Sequence, residues 1–420
     1  MNEIKNTIQV DSEIGKLNGV ILHSPGPEVE NMTPRDAERA LYSDILNLKV
    51  AGAEYRQLKS VLNKITKTYE IQDLLTDVLG DDDCKNCLVN KICEYENVWD
   101  LKEFLLDLSP SDLSKSLIEG VVMVKDNLTK FLNKEKYSLK PLHNFFFTRD
   151  ASMAIGKKVL IGKMANQVRE REAKIMEAIF NYHPDLRAVT VNPDNDYSKN
   201  PELTIEGGDV IVAREDILLI GIGARTTPKG VDYIIEKFKR KTEKKHIIVQ
   251  KLPKKPESFI HLDMIFTFLD KDMCMVYDPI VIKQVHYQTV LITIAGGKVI
   301  ISEEDDILRA LKKLGMDLKP VCCGGSKGDW FQDREQWHSG ANFFAIAPGQ
   351  VIGYGRNEKT IEEMDRLGFE VIHAQELIDE KKSITPGKRT VITIDGSELS
   401  RGGGGCRCMT MPVNRGIVKW

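Results

Sequence analysis

The chain has 420 residues, 42% of them apolar, and a formal net charge of −3 with acidic and basic residues interspersed. That length can bury a large core, as one large domain or as one domain carrying an insert. The balanced charge speaks against a nucleic-acid surface or a membrane-facing basic patch and leaves small-molecule chemistry as the expectation.

The opening stretch MNEIKNTIQVDSEIGKLNG lacks an apolar core of signal-peptide type, and no later segment is apolar for long enough to span a bilayer. A cytoplasmic protein is therefore expected, with its eight cysteines reduced. LNGVILHSPGPEV (17–29) reads as one edge of a strand-rich unit whose missing partner strand is supplied by the C-terminal CMTMPV. Between residues 68 and 140 the character changes: EIQDLLTDVLG, NVWDLKEFLLDL, SPSDLSKSLIEGVV and KDNLTKFLNK carry helical spacing of Leu, Ile and Val, with a capping signal in SPSDL. The expected domains are thus a helical insert, 68–140, within a body formed by 1–67 and 141–420.

From residue 150 onward a strand–turn–strand pattern recurs, in ASMAIGKKVLIG (151–162), DVIVAREDILLIG (209–221), MIFTFLDKDMCMVY (264–277) and NFFAIAPGQVIGYG (342–355). Three of these lead into a helical run and then another strand: NQVREREAKIMEAIF to LRAVTV, KGVDYIIEKFKRK to HIIVQKL, and KTIEEMDRL to FEVIHA. After the third hairpin the helix DDILRALKKLG comes later, behind KVIIS. A unit this small cannot bury its own apolar faces, so neighbours must cover them. With the terminal strands forming one more unit, the reading is an α/β fold of five ββαβ units in a ring.

Equivalent positions in such a ring face one central space. Asp150 stands before the first hairpin, Glu206 before the second, His261 and Asp263 before the third, and the C-terminal SRGGGGCRCM, with Cys406 and Cys408, before CMTMPV. In an extended strand, residues two apart point the same way, so His261 and Asp263 share a face. Three converging carboxylates need a cation among them, and a planar guanidinium fits them better than an ammonium does. A thiolate facing that cation is favoured electrostatically and can attack its carbon.

FTRD, IEGGD, HLDM, GIGARTT, REQWHSGANFFAIAPG and SRGGGGCRCMTMP together resemble the arginine deiminases of the guanidino-group-modifying enzymes, from LNGVILHSPG near the start to the last residues. The resemblance implies a five-bladed α/β propeller with a helical domain inserted in it. It implies hydrolysis of free L-arginine to citrulline and ammonia with no cofactor and no metal. Cys408, which immediately precedes Met, would be the nucleophile, and Cys406 is a departure from the pattern. His261 would be the general acid and base, with Glu206 beside it, while Asp150 and Asp263 clamp the guanidinium. Arg169 and Arg225, with Asn144, would hold the substrate carboxylate, and Phe147 would wall its stem. Arg401 would sense substrate, and the glycine run, including Gly404, would let backbone lie against it as a gate.

Other readings are agmatine or a methylated arginine as substrate, a catalytically dead arginine sensor, or an interaction module organised by the insert. In the last, Cys84, Cys87 and Cys93 of CKNCLVNKIC could bind zinc, although no second C-x2-C or His pair is nearby. Arg169 and Arg225 favour a substrate with an α-carboxylate. The expected partners are L-arginine and further copies of the chain in a homo-oligomer, with no nucleic acid and no membrane.

Overall fold

A computed structural model describes residues 7–34, 44–197, 201–283, 287–326 and 328–420. Among these residues, five sheets share one plan: an antiparallel hairpin whose second strand pairs in parallel with a third. In the first, Met411–Arg415 runs antiparallel to Leu17–Leu22, which pairs in parallel with Lys67–Glu70. The expected partnership of the two chain ends is therefore present.

The second sheet joins Ser152–Ile155, Lys158–Ile161 and Val189–Val191. The third joins Val210–Arg214, Ile217–Ile222 and Lys245–Lys251, and the fourth Phe266–Phe268, Met273–Val276 and Lys319–Cys322. In the fifth, Phe344–Ala347 and Gln350–Tyr354 meet Thr390–Ile394. A parallel third strand requires a crossover, supplied by helices such as Leu48–Ile65, Glu170–Tyr182 and Pro228–Lys239. Ile217–Ile222 and Thr390–Ile394 are buried almost throughout, as their unbroken apolar runs require of strands covered on both faces.

Two connections differ from the expectation. FEVIHA forms Glu370–His373, but Thr390–Ile394 lies between it and the hairpin, so the later and more fully buried run takes the inner place. KVIIS forms Lys298–Glu304, which pairs with Thr289–Ala295 and extends the third sheet instead of joining its own unit.

The stretch read as an insert contains the helices Ile71–Val78, Asp82–Glu96, Lys102–Asp107 and Pro110–Glu119. Ser109 caps the last of these, accepting from Asp112 N at 3.2 Å, as SPSDL predicts. Residues 68–70, assigned to the insert on sequence, belong to the first sheet. The helical segment shares its core with the first three sheets, so Leu75, Val89 and Leu117 are buried in the same cluster as Ile179 and Ile220.

Candidate active site

The residues that precede each hairpin come together. Cys408, His261, Glu206, Asp263 and Asp150 are all at least 96% buried. Cys408 Sγ lies 3.7 Å from Asp263 Oδ2. His261 Nε2 lies 2.9 Å from Glu206 Oε2, and its Nδ1 is 3.7 Å from Asp150 Oδ1.

Glycine packing makes this convergence possible. A Cβ on Gly208 would sit 2.6 Å from the His261 ring, and one on Gly207 would sit 2.0 Å from the Arg149 carbonyl oxygen. In the terminal run, only Gly403 uses the left-handed region (φ 84°). Gly404 and Gly405 serve close approach instead: their Cβ atoms would lie 2.5 Å from Phe147 and 2.7 Å from Asn342.

The charges are matched internally. Burial alone would disfavour the imidazolium, but Asp150, Glu206 and Asp209 raise His261 to about 9. Burial likewise works to raise Glu206, yet Arg225, His261 and Arg169 hold it at about 2. The Cys408 thiol is pushed well above the usual thiol value, first by burial and then by Asp263 and Asp150, while Arg407 opposes them. At neutral pH the resting cluster holds a neutral thiol and an imidazolium. Asp150, Glu206 and His261 each offer a ligand atom within 4.8 Å of the others, a grouping that can take a small cation. Here positive charge already reaches them from Arg169 and Arg225.

Arg169 Nη1 bonds Asp150 Oδ2 at 2.6 Å, and the rest of its guanidinium is taken by Glu172 and the Phe147 carbonyl. Expected at the substrate carboxylate, it is bonded instead to Asp150, the residue expected to clamp the guanidinium. Arg225 approaches Glu206 at 3.8 Å and lines an outer cavity of about 540 Å³ with Met264, His338, Ser400 and Arg401. Arg401 is exposed and turns outward to Asp44 and Glu398, so it does not join the buried cluster. Asn144 and Phe147 are buried in the turn before Asp150, where the Asn144 carbonyl accepts from Phe147 N at 2.9 Å.

Cys406 points into an apolar cluster with Met409 and Tyr354, and burial pushes its thiol up. Cys84 and Cys93 are buried while Cys87, on the same helix Asp82–Glu96, is exposed. Their sulfurs do not gather as a set of metal ligands among the described residues.

Four residues escaped the sequence reading. Arg407 bonds Asp263 Oδ2 at 2.9 Å and takes Glu13 with two nitrogens, at 3.1 and 3.0 Å. It thus occupies one oxygen of Asp263, and the other, Oδ1, has no hydrogen-bond partner among the described residues. Asn342 Oδ1 accepts from the backbone N–H groups of Arg407 and Cys408, at 2.9 and 3.2 Å, fixing the turn that carries Cys408. Asp209 accepts from Leu262 N at 2.9 Å, and its burial raises it to about 7. Asn342 was findable, because it stands before its hairpin as Asp150 and Asp263 stand before theirs. Glu13 carried no such signal.

A family model described as arginine deiminase matches residues 38–415. The chain is 34% identical over 430 aligned residues to an arginine deiminase of Borrelia garinii subsp. bavariensis, covering 98% of each chain. It is 33% identical to one of Borrelia duttonii, covering 97% of this chain and 98% of that one. Among solved structures, the product-bound N-terminal domain of ArgZ, a cyanobacterial arginine dihydrolase, aligns with a TM-score of 0.51 at 13% identity over 96% of this chain and 99% of that one. SxtG, an amidinotransferase from Microseira wollei, aligns with a TM-score of 0.53 at 12% identity over 99% of both. These distant likenesses bear on the mixed α/β fold alone.

Proposed function

The chain belongs to the arginine deiminase family, and on that premise we propose that it hydrolyses free L-arginine to L-citrulline and ammonia through a covalent cysteine intermediate. The observation that carries the reading is the buried meeting of Cys408 with Asp263, whose Oδ1 is unpartnered among the described residues, in one cluster with the His261–Glu206 pair and Asp150. A substrate guanidinium on Asp263 Oδ1 satisfies that oxygen and brings positive charge to the sulfur, favouring loss of the thiol proton to solvent.

Cys408 then attacks the guanidinium carbon. The C–N bond breaks as His261 gives its proton to the departing ammonia, leaving an amidino-thioether on Cys408. Neutral His261 next takes a proton from water as hydroxide adds to the same carbon, and the C–S bond breaks as the adduct's hydroxyl proton passes to the departing sulfur, giving citrulline and the resting thiol. Glu206 holds the imidazole through both halves. Asp150 takes the substrate guanidinium in place of Arg169, and the released Arg169 joins Arg225 and Asn144 at the α-carboxylate, with Phe147 along the stem. Entry through the cavity at Arg225 requires the segment carrying Arg401 and Gly404 to move, which gives that segment its gating role.

The same reading takes the five sheets as the blades of a closed propeller, with the helical segment as an inserted domain of a cytoplasmic homo-oligomer. Measuring citrulline release from L-arginine and from agmatine tests it, since agmatine lacks the carboxylate that Arg225 and Arg169 would hold. Turnover of agmatine at a rate comparable to arginine would remove the carboxylate assignment.

A further inference from the structure

The third sheet ends on a strand built unlike its neighbours. Lys298–Glu304, sequence KVIISEE, pairs on one side with Thr289–Ala295 through an unbroken register from Thr289↔Glu304 to Ala295↔Lys298. Its other side has no strand partner among the described residues. Ile300 and Ile301 are 67% and 63% exposed although they project to opposite faces of the sheet. An open edge of seven residues, without proline or bulge, is a template for another strand, and proteins ordinarily blunt such edges. Here the only charges are Lys298 at one end and Glu303 and Glu304 at the other.

Those charges select an occupant. A second copy pairing in parallel would set Lys298 against Lys298 and the glutamates against each other. Pairing antiparallel about a two-fold axis sets Lys298 of each copy opposite Glu304 of the other, and Ile301 opposite itself. A two-fold axis perpendicular to the sheet keeps each side chain on its own face, as a continuous sheet requires, so Ile300 meets Ser302 and Val299 meets Glu303. Glu304 also accepts from Lys313 at 2.5 Å, so the end pairing joins an existing charge contact.

We propose that this edge is a self-association surface, at which the third sheets of two copies join antiparallel through Lys298–Glu304 around Ile301. The proposal rests on the homo-oligomer reading and names its surface. The strand contributes no residue to the catalytic cluster.

Sedimentation velocity on the full chain, with and without Ile301→Lys, tests it. The parent sediments as a dimer or a multiple of one. Ile301→Lys places like charges together at the axis and weakens association by about a hundredfold or more, with kcat/KM per site held within about twofold. Ile301→Cys under mild oxidation gives a cross-linked dimer at that residue by peptide mapping, which Ile300→Cys, opposite Ser302, does not. A monomeric parent overturns both the oligomer reading and this surface. An oligomeric parent that Ile301→Lys leaves intact, with no cross-link in Ile301→Cys, overturns the surface alone.

Discussion

Arg407 offers the sharpest test of how the Cys408 thiol is prepared for the proposed attack. It stands immediately before Cys408, and its Nη1 shares Asp263 Oδ2 with the sulfur, at 2.9 and 3.7 Å respectively. Without that guanidinium the Asp263 charge faces the sulfur directly. At 3.7 Å and an effective dielectric constant near 20, two unit charges interact by about 4 kcal/mol. If a third of that is felt, the thiolate is about tenfold scarcer at any pH below its pKa.

The other groups that act on the sulfur or on Arg407 remain in place: Asp150 and Tyr354 on the sulfur, and Glu13, Arg149 and Arg415 around Arg407. Arg407→Met is therefore expected to lower kcat/KM at least about tenfold at neutral pH. It should also displace alkylation of Cys408 by iodoacetamide, followed by peptide mapping, to higher pH. Glu13→Gln removes the carboxylate that shares Arg407 and is expected to move the same profile to lower pH. A general loss of packing would not give opposite signs. A folded Arg407→Met with an unmoved alkylation profile would mean that Arg407 does not set the ionisation of Cys408.

His261, raised to about 9 from 6.5, contributes stability that is fully present below pH 6.5 and lost as pH climbs through 9, roughly 3 kcal/mol across that window. Thermal melts of the parent should fall over this range, and His261→Asn should flatten the slope. In the proposed mechanism the same proton is the acid for the leaving ammonia, so kcat/KM should decline above about pH 9. Gly208→Ala drives a methyl to 2.6 Å from the imidazole and is expected to cut kcat about a hundredfold while secondary structure by circular dichroism is retained. Glu54, buried on helix Leu48–Ile65, accepts from Ser397 N, Glu398 N and Leu399 N and so anchors the segment that carries Arg401. Glu54→Ala should raise KM more than it lowers kcat, and equal effects on both would remove the anchoring role.

Much of this architecture is legible because local signals coincide with tertiary ones. All four hairpins form where turn residues interrupt apolar runs, and Asp150, Glu206, Asp263 and Cys408 meet because equivalent positions of repeated units face one another. Sheet neighbours beyond the hairpins were legible where a helix led straight to the next strand, as at Val189–Val191 and Lys245–Lys251, and not in the fourth and fifth sheets. Thr390–Ile394 displaces Glu370–His373 from the inner place through burial across the whole fifth sheet, which no window of sequence reports. The Arg169–Asp150 bond was equally hidden, since a helical run such as VREREAKIMEA gives no hint that one of its arginines is buried on a carboxylate 19 residues earlier. Glu13 and Arg407 lie 394 residues apart and meet only because the first and last strands pair.

The central claim is that Cys408, not Cys406, becomes covalently bonded to the guanidinium carbon of arginine. Acid quenching during turnover of L-arginine, followed by mass analysis of the peptides spanning both cysteines, tests it directly, with Cys408→Ala and Cys406→Ala alongside. An adduct of arginine less ammonia is expected on Cys408 in the parent and in Cys406→Ala, and neither adduct nor citrulline in Cys408→Ala. Citrulline formed by a folded Cys408→Ala, or an adduct carried on Cys406, would contradict it.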